Sequence, residues 1–439
     1  MIRRKDSNLR TKFVDQTAAR LYTISKERKT ENVPYAGVVF DVDDVKESVG
    51  ALYDAFVSGW FSLGRRGNEF ENEFCKFLGV KYCILTNSGS SANLLAVAAM
   101  LALKRLKPGD EVLTPAVTFP TTVNPLLFYG LKPVLVDVEL PSYTVSARSL
   151  RESASSAIKG LMLPHLNGSA SHMPEIVSLA KESGWTLIED CCDALGTKIG
   201  ESYVGTFGHA STFSFYGAHH MSMGEGGAVC TNDADVARTV RSLRDWGRAV
   251  RKEASDVKKV RTLARVGKGS TLPADYEMRY TYVTRGFNLK PLDIQAAMGL
   301  AQLRKVKRFG KVRRRNYRFL KRGLSRFGDY LILPEPAEGV DPSWFVFPLV
   351  LKDNVRFSRS ELTDHLEKAG IETRPLLAGN ITKQPAYKDV EFVTRSALPN
   401  SDLVLRNGFF VGVFPGLSLS QLSKVVASFK SFFSAKGLA

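Results

Sequence analysis

Four places in the sequence combine residue types and spacings that could do chemistry. Asn87-Ser88-Gly89-Ser90-Ser91 offers hydroxyls and a flexible glycine immediately before a mostly apolar run, ANLLAVAAMLAL. Glycine lets a backbone approach a ligand, and serine hydroxyls with helix N-terminal amides make an anion site, although a serine-rich helix cap explains the same residues. Glu189-Asp190 ends the apolar run WTLIE. A carboxylate there can hold a protonated heteroaromatic nitrogen through a charge-assisted hydrogen bond, or can simply cap a helix. Thr118-Phe119-Pro120 places an aromatic ring where it could stack on a planar molecule or pack in a core. Finally, SFYGAHHMSMGEGGAV at 214–229 holds Ser214 and two of the chain's six histidines, His219 and His220, which suggests proton transfer near neutral pH.

These residues must be positioned by the elements around them. The runs Tyr82–Thr86, EVLTPAV from Glu111, Pro133–Val138, Gly160–Pro164, Trp185–Glu189 and Ala210–Phe215 read as short buried strands. Helical segments such as Val45–Val57, Asn68–Leu78, Ala92–Leu103 and Met173–Ser183 fall before and between them, with a polar corner at Thr118–Asn124. Strands alternating with helices predict an α/β fold with a mostly parallel sheet covered on both faces. Ligands of such sheets sit at the carboxyl ends of the strands, where all four candidate places lie. Residues 1–40 read as a polar, aperiodic N-terminal arm, 41–325 as the large α/β domain, and 326–439 as a smaller α+β domain. A single long helix over 300–327 is expected to connect the last two.

Composition narrows the class. The chain has 439 residues, with 61 Lys and Arg against 44 Asp and Glu, a formal charge of +17. The run from Arg304 to Arg326 carries twelve of those basic residues and no acid. It reads as a nucleic-acid or membrane patch, or as one amphipathic surface helix, because Leu303, Val306, Phe309, Val312, Tyr317, Leu320 and Leu324 recur at helical steps. The helix is preferred, so neither a nucleic-acid nor a membrane partner is expected. No apolar run is long enough to span a membrane and no secretory signal is visible, so the expectation is a soluble, cytoplasmic protein. Five cysteines, of which only Cys191 and Cys192 are close in sequence, argue against a disulfide framework.

The order of NSGSSANL, TFPTTVNP, IEDCCDALG, SFYGAHH with MGEGGA, and RGFNLKPLDIQAAMGLAQL resembles the DegT/DnrJ/EryC1/StrS sugar aminotransferase/dehydratase family. The resemblance implies the fold-type I pyridoxal-phosphate (PLP) transferase fold, with a sheet of the seven-stranded type. It also implies that Gly89, Ser90 and Ser214 hold the cofactor phosphate and that Phe119 stacks on its ring. Asp190 would keep the pyridine nitrogen protonated, and Asp193 would face the ring hydroxyl. Asn288 would reach the phosphate of a neighbouring subunit, making the protein a homodimer with a shared site.

One departure changes the implied chemistry. The family's cofactor-anchoring lysine lies five residues after the phosphate-binding serine, and here that position is His219. Imidazole forms no stable Schiff base, but it can move a proton. The pattern resembles the sugar-nucleotide 3-dehydratases that use pyridoxamine phosphate (PMP). It is most like CDP-4-keto-6-deoxyglucose 3-dehydrase, through DCCDALG, RDWGR and DPSWF. That enzyme type carries an iron–sulfur cluster on a cysteine of the DCC motif and three more after RDWGR. Here no cysteine follows Cys230, so no cluster and no other metal is expected, and the mechanism should follow GDP-4-keto-6-deoxymannose 3-dehydratase. The implied partners are a nucleotide-linked 4-keto-6-deoxy sugar and glutamate or a similar amino donor. Two other readings stay open: a PLP-dependent sugar-nucleotide aminotransferase, which His219 argues against, and a degenerate binding protein using its basic surface.

Overall fold

The computed structural model describes residues 4–26, 32–249, 272–273, 276–277 and 280–438. Three helices open the chain: α1 (Arg4–Lys26), α2 (Val42–Ser58) and α3 (Arg65–Leu78). Strands and helices then alternate: β1 (Tyr82–Thr86), α4 (Gly89–Ala102), β2 (Glu111–Pro115), α5 (Pro120–Phe128), β3 (Lys132–Val136), α6 (Ala147–Glu152), β4 (Ile158–Pro164), α7 (Met173–Glu182) and β5 (Thr186–Asp190). Next come β6 (Lys198–Ile199), β7 (Ser202–Tyr203), β8 (Ala210–Ser214), β9 (Gly227–Thr231), α8 (Ala234–Arg244), α9 (Asp293–Leu303) and α10 (Val306–Leu324). The C-terminal region holds β10 (Leu331–Ile332), β11 (Val340–Asp341), β12 (Val346–Leu351), α11 (Arg359–Lys368), β13 (Val393–Thr394), α12 (Pro399–Asn407), β14 (Gly408–Gly412) and α13 (Leu419–Ala435).

The central sheet runs β1-β9-β8-β5-β4-β2-β3-β13. Its pairs from β8 through β13 are parallel, and β9 is antiparallel to both β1 and β8. Because β9 reverses twice, β1 points the same way as its parallel neighbours. The carboxyl ends of β1, β2, β4, β5 and β8 therefore share one edge of the sheet, where ligands of such folds bind. β5, β8 and β9 are buried along their whole length, as strands covered on both faces must be. This is the expected α/β transferase architecture, with an eighth strand. β13 returns from the C-terminal region to pair in parallel with β3, and two residues are too short to give a periodic signal.

The C-terminal region builds an antiparallel sheet, β10-β12-β14, over which α13 packs Phe429 and Phe433. Tyr317, Leu320 and Leu324 of α10 belong to the same core, whereas Val306 at the start of that helix belongs to the core under the large sheet. α10 thus joins the two cores.

Three expectations need correction. The stretch expected to be aperiodic contains α1, whose Val14 and Ala18, four residues apart, are buried. Arg10 of α1 clamps Asp54 of α2 through Nε at 2.6 Å and a second guanidinium nitrogen at 2.7 Å. Secondly, the connector is two helices, broken between Leu303 and Val306. There Lys305 turns back to pair with Asp41 and Asp44 at the start of α2, both at 2.5 Å. Thirdly, the basic run does not put every charge outside. Lys307, Arg308, Lys311, Arg315, Arg318 and Arg322 are exposed as an amphipathic helix requires, but Arg313 is 1% exposed. No helix among the described residues is long and apolar enough to cross a membrane.

Candidate active site

A cavity of about 420 Å³ opens at the shared carboxyl edge. Its lining includes Gly89, Ser90, Phe119, Asp190, Asp193, Ser214 and His219, so seven of the eight residues to which the family resemblance gives a role at the cofactor converge on one place. Asn288 does not. It is exposed, bridges to Asp245, and lies outside the cavity of its own chain.

At the end of β1 the chain turns directly into α4. Ser88 caps that helix by accepting the Ser91 N–H at 3.1 Å, so the structural reading of the serine cluster holds for Ser88. The same cap leaves first-turn amides of α4, at Gly89 and Ser90, without intrahelical acceptors at the cavity wall. Gly89 is required sterically. A Cβ at this position would lie 2.6 Å from Ser214 Cβ and 2.9 Å from Cys192 Sγ. Only a glycine lets the β1–α4 turn press against the end of β8, where Ser214 Oγ accepts the Tyr216 N–H at 3.4 Å. Phe119 sits at the N-cap of α5 beside the cavity and is exposed as a residue to 51%.

Asp190 ends β5 and is 6% exposed. Its Oδ2 accepts from Asn93 Nδ2 and from Thr122 Oγ1, both at 2.8 Å, while Oδ1 accepts the Cys192 N–H at 3.2 Å. Asn93 is fixed in turn by Thr212 Oγ1, which donates to its Oδ1 at 2.5 Å. Such a network holds the carboxylate in one orientation at the cavity floor.

His219 is stacked on Phe345, with ring centroids 5.1 Å apart and planes 13° from parallel. Its Nδ1 lies 2.7 Å from the Cys192 carbonyl oxygen. A carbonyl can only accept, so Nδ1 carries the hydrogen and the neutral ring presents Nε2 as a free base. Burial, aided by the charge of Arg313, lowers the imidazole pKa to about 4 against the opposing effects of the Cys192 carbonyl and Asp190. Asp193 Oδ1 is 3.6 Å from Nδ1, yet this is no ion pair near neutrality. Burial first, and then the Asp190 charge, push the Asp193 carboxyl up to about 7. The pocket therefore disfavours charge on both members of the pair.

Several lining residues were not singled out from the sequence. Tyr35 comes from the stretch assigned to the arm, and His165, Phe345 and Phe410 from distant segments. Asn93 had a signal: it is a buried amide within an otherwise apolar helix, and such groups need partners. His165, Glu189 and Cys191 form the one cluster of potential metal donors among the described residues. Glu189 already accepts the N–H groups of Gly205, Phe207 and Gly208 as well as His165 Nε2 at 3.0 Å, which makes it a buried buttress.

The residues present fit a pyridoxal-type cofactor: a cradle that a Cβ would fill, a buried oriented carboxylate, and an aromatic face at the wall. Fold and site together define the fold-type I PLP-dependent class. The profile of the DegT/DnrJ/EryC1/StrS aminotransferase family matches residues 42–430, and the chain belongs to that family. It is 42% identical over 410 residues to the lipopolysaccharide biosynthesis protein RfbH of Salmonella typhimurium, covering 92% of each chain. It is also 42% identical over 401 residues to the dTDP-4-dehydro-2,6-dideoxy-D-glucose 3-dehydratase of Saccharopolyspora spinosa, covering 90% of this chain and 86% of the relative. A crystal structure of GDP-4-keto-6-deoxymannose-3-dehydratase with a trapped PLP–glutamate geminal diamine superposes with a TM-score of 0.80 at 29% identity, covering 90% of this chain and all of that one.

Proposed function

We propose that the protein is a PMP/PLP-dependent 3-dehydratase that removes the C3 hydroxyl of a nucleotide-linked 4-keto-6-deoxyhexose. The setting would be 3,6-dideoxy sugar synthesis for lipopolysaccharide O-antigen or a related glycan. The observation that carries this reading is His219: a base in the cavity, with Nε2 free, where the family's anchoring lysine would stand. The relatives named as 3-dehydratases support it.

When bound, the cofactor supplies an amine for the sugar's keto group and an electron sink in its ring. Asp190 would hold the ring nitrogen protonated, its orientation set by Asn93 and Thr122. Gly89, Ser90 and Ser214 would take the phosphate, Phe119 one face of the ring, and Asp193 the ring hydroxyl. His219 would accept at Nε2 the proton given up by the carbon that bears the cofactor's amine, whose electron pair allows the C3–O bond to break, and would hand that proton to the departing hydroxyl, which leaves as water. Net, the C3 hydroxyl is exchanged for hydrogen, while glutamate leaves as 2-oxoglutarate and ammonia and supplies the two electrons.

The proposal includes a cytoplasmic homodimer whose exposed Asn288 serves the neighbouring cavity, and a large domain through about residue 325 followed by a small one. It includes no iron–sulfur cluster, because no cysteine follows Cys230. The aminotransferase alternative lacks its lysine, and a degenerate binding protein has no use for an oriented Asp190.

The test mixes the protein with PMP and candidate 4-keto-6-deoxy sugar nucleotides, then reads sugar mass. A product one oxygen lighter, formed catalytically with glutamate, is the expected result. A product carrying a new amino group would establish the aminotransferase, and no change with any candidate would defeat the proposal. His219→Lys should abolish deoxygenation and allow covalent cofactor capture, read by borohydride reduction and protein mass.

A further inference from the structure

We infer that Arg313 is a positioning residue of the active site, tying together the two sides of the His219 stack and placing a positive charge behind its imidazole. This rests on His219 as the reacting base and deepens that reading. In the sequence Arg313 is one of twelve basic residues between Arg304 and Arg326, yet its side chain is one of the largest fully buried ones among the described residues.

The guanidinium donates from Nη1 to the carbonyl oxygens of Trp344 at 3.1 Å and Phe345 at 2.9 Å, and from Nη2 to the carbonyl oxygen of His219 itself at 3.3 Å. Phe345 is the residue whose ring lies flat on the imidazole. One rigid fork from α10 therefore joins the main chain of the base to that of its stacking partner, 126 positions apart in the chain by subtraction of 219 from 345. No carboxylate among the described residues forms an ion pair with Arg313, so its charge is balanced by carbonyl dipoles. Burying an unpaired cation costs several kcal/mol, roughly, and a structural tie alone needs no charge.

The groups around the imidazole are few. Asp190 lies at the end of β5, and Cys192 and Asp193 in the turn that follows. Tyr216 and His220 lie in the histidine's own loop, Phe345 before β12, and Arg313 on α10. His220 is bonded to the Ser343 carbonyl and held uncharged by burial, which leaves Arg313 as the cation that opposes the Asp190 carboxylate. Arg313 adds to burial in keeping Nε2 of His219 an available base, and its fork fixes where the ring points.

The test uses the full chain labelled at histidine Cε1, with the His219 signal assigned by its loss in His219→Asn. In cofactor-free protein, Arg313→Met should raise the pH midpoint of His219 protonation by about one unit or more, while Arg313→Lys should leave it near the wild-type value. An unchanged midpoint in folded Arg313→Met protein would overturn the inference. If that variant does not fold, Arg313→Lys decides by kinetics: it keeps the charge and loses the fork, so kcat should fall about tenfold or more with KM unchanged. Unchanged kcat, or an effect confined to KM, would overturn it. The midpoint is read without turnover, so it reports on Arg313 even if the assigned reaction proves wrong.

Discussion

Asp193 gives the sharpest quantitative test of the site's electrostatics. Its carboxyl is raised from 3.8 to about 7, chiefly by burial and then by the Asp190 charge, with a side chain 14% exposed. An acid whose folded pKa lies above its unfolded one binds its proton more tightly in the fold. Its contribution to stability is complete below pH 3.8 and is lost as pH rises through 7. At 1.36 kcal/mol per unit, the difference amounts to about 4 kcal/mol at pH 8 and about 1.5 kcal/mol at pH 5. These are upper bounds, since the surroundings relax around a buried charge. Asp193→Asn keeps the shape and an acceptor for the Asn167 N–H while removing the ionisation. The cofactor-free Asp193→Asn variant should therefore be more stable than wild type, by about 2.5 kcal/mol more at pH 8 than at pH 5. Urea unfolding of both proteins across that range measures the difference between their midpoints. A stability difference independent of pH would show that Asp193 is ionised in the fold, and the discharged His219–Asp193 pair would fall with it.

Other substitutions probe the frame around the cavity. Gly89→Ala drives a methyl against Ser214 and Cys192, and should cost about 1–3 kcal/mol in urea unfolding. It should also weaken pyridoxamine phosphate binding, followed by fluorescence titration; wild-type affinity would remove the tight turn from the site. Asn93→Ala frees one side of Asp190 and leaves the Thr212 hydroxyl only the Glu189 carbonyl at 3.5 Å, for a loss of about 1–3 kcal/mol together with weaker cofactor binding. Glu71 accepts from the Leu85 N–H, Arg241 and Arg244 and is 5% exposed, so Glu71→Ala leaves Arg244 buried without its acid and should cost about 3–5 kcal/mol. By contrast, Arg10→Ala breaks a partly exposed pair between α1 and α2 and should cost less than about 1 kcal/mol. If the last two losses are equal in the same urea assay, burial is not what sets their size.

What was legible in the sequence follows from how far each signal reaches along the chain. Strands such as Tyr82–Thr86 were read to the residue because apolar runs bounded by turns are local, and the ends of those runs located Asp190 and Ser214. α1 was missed because its inward face is only Val14 and Ala18, while Leu9, Phe13, Leu21 and Ile24 remain exposed and blur its periodicity. The break at Arg304–Lys305 has no local signal, and the partners that Lys305 takes there, Asp41 and Asp44, lie more than 250 residues earlier by subtraction of 44 from 305. The same distance effect hid the partners that give the site its chemistry. Asp190 depends on Asn93 and Thr122, and His219 on Cys192, Phe345 and Arg313; each pairing is made by the fold, between segments whose local sequence shows only a cap, a core aromatic or a surface charge. Residue type thus located the candidate acid and base. The long-range contacts decide their state: hydrogen bonds from Asn93, Thr122 and Cys192 fix the orientation of Asp190, and burial beside Arg313 leaves the imidazole uncharged, so that Nε2 can take a proton.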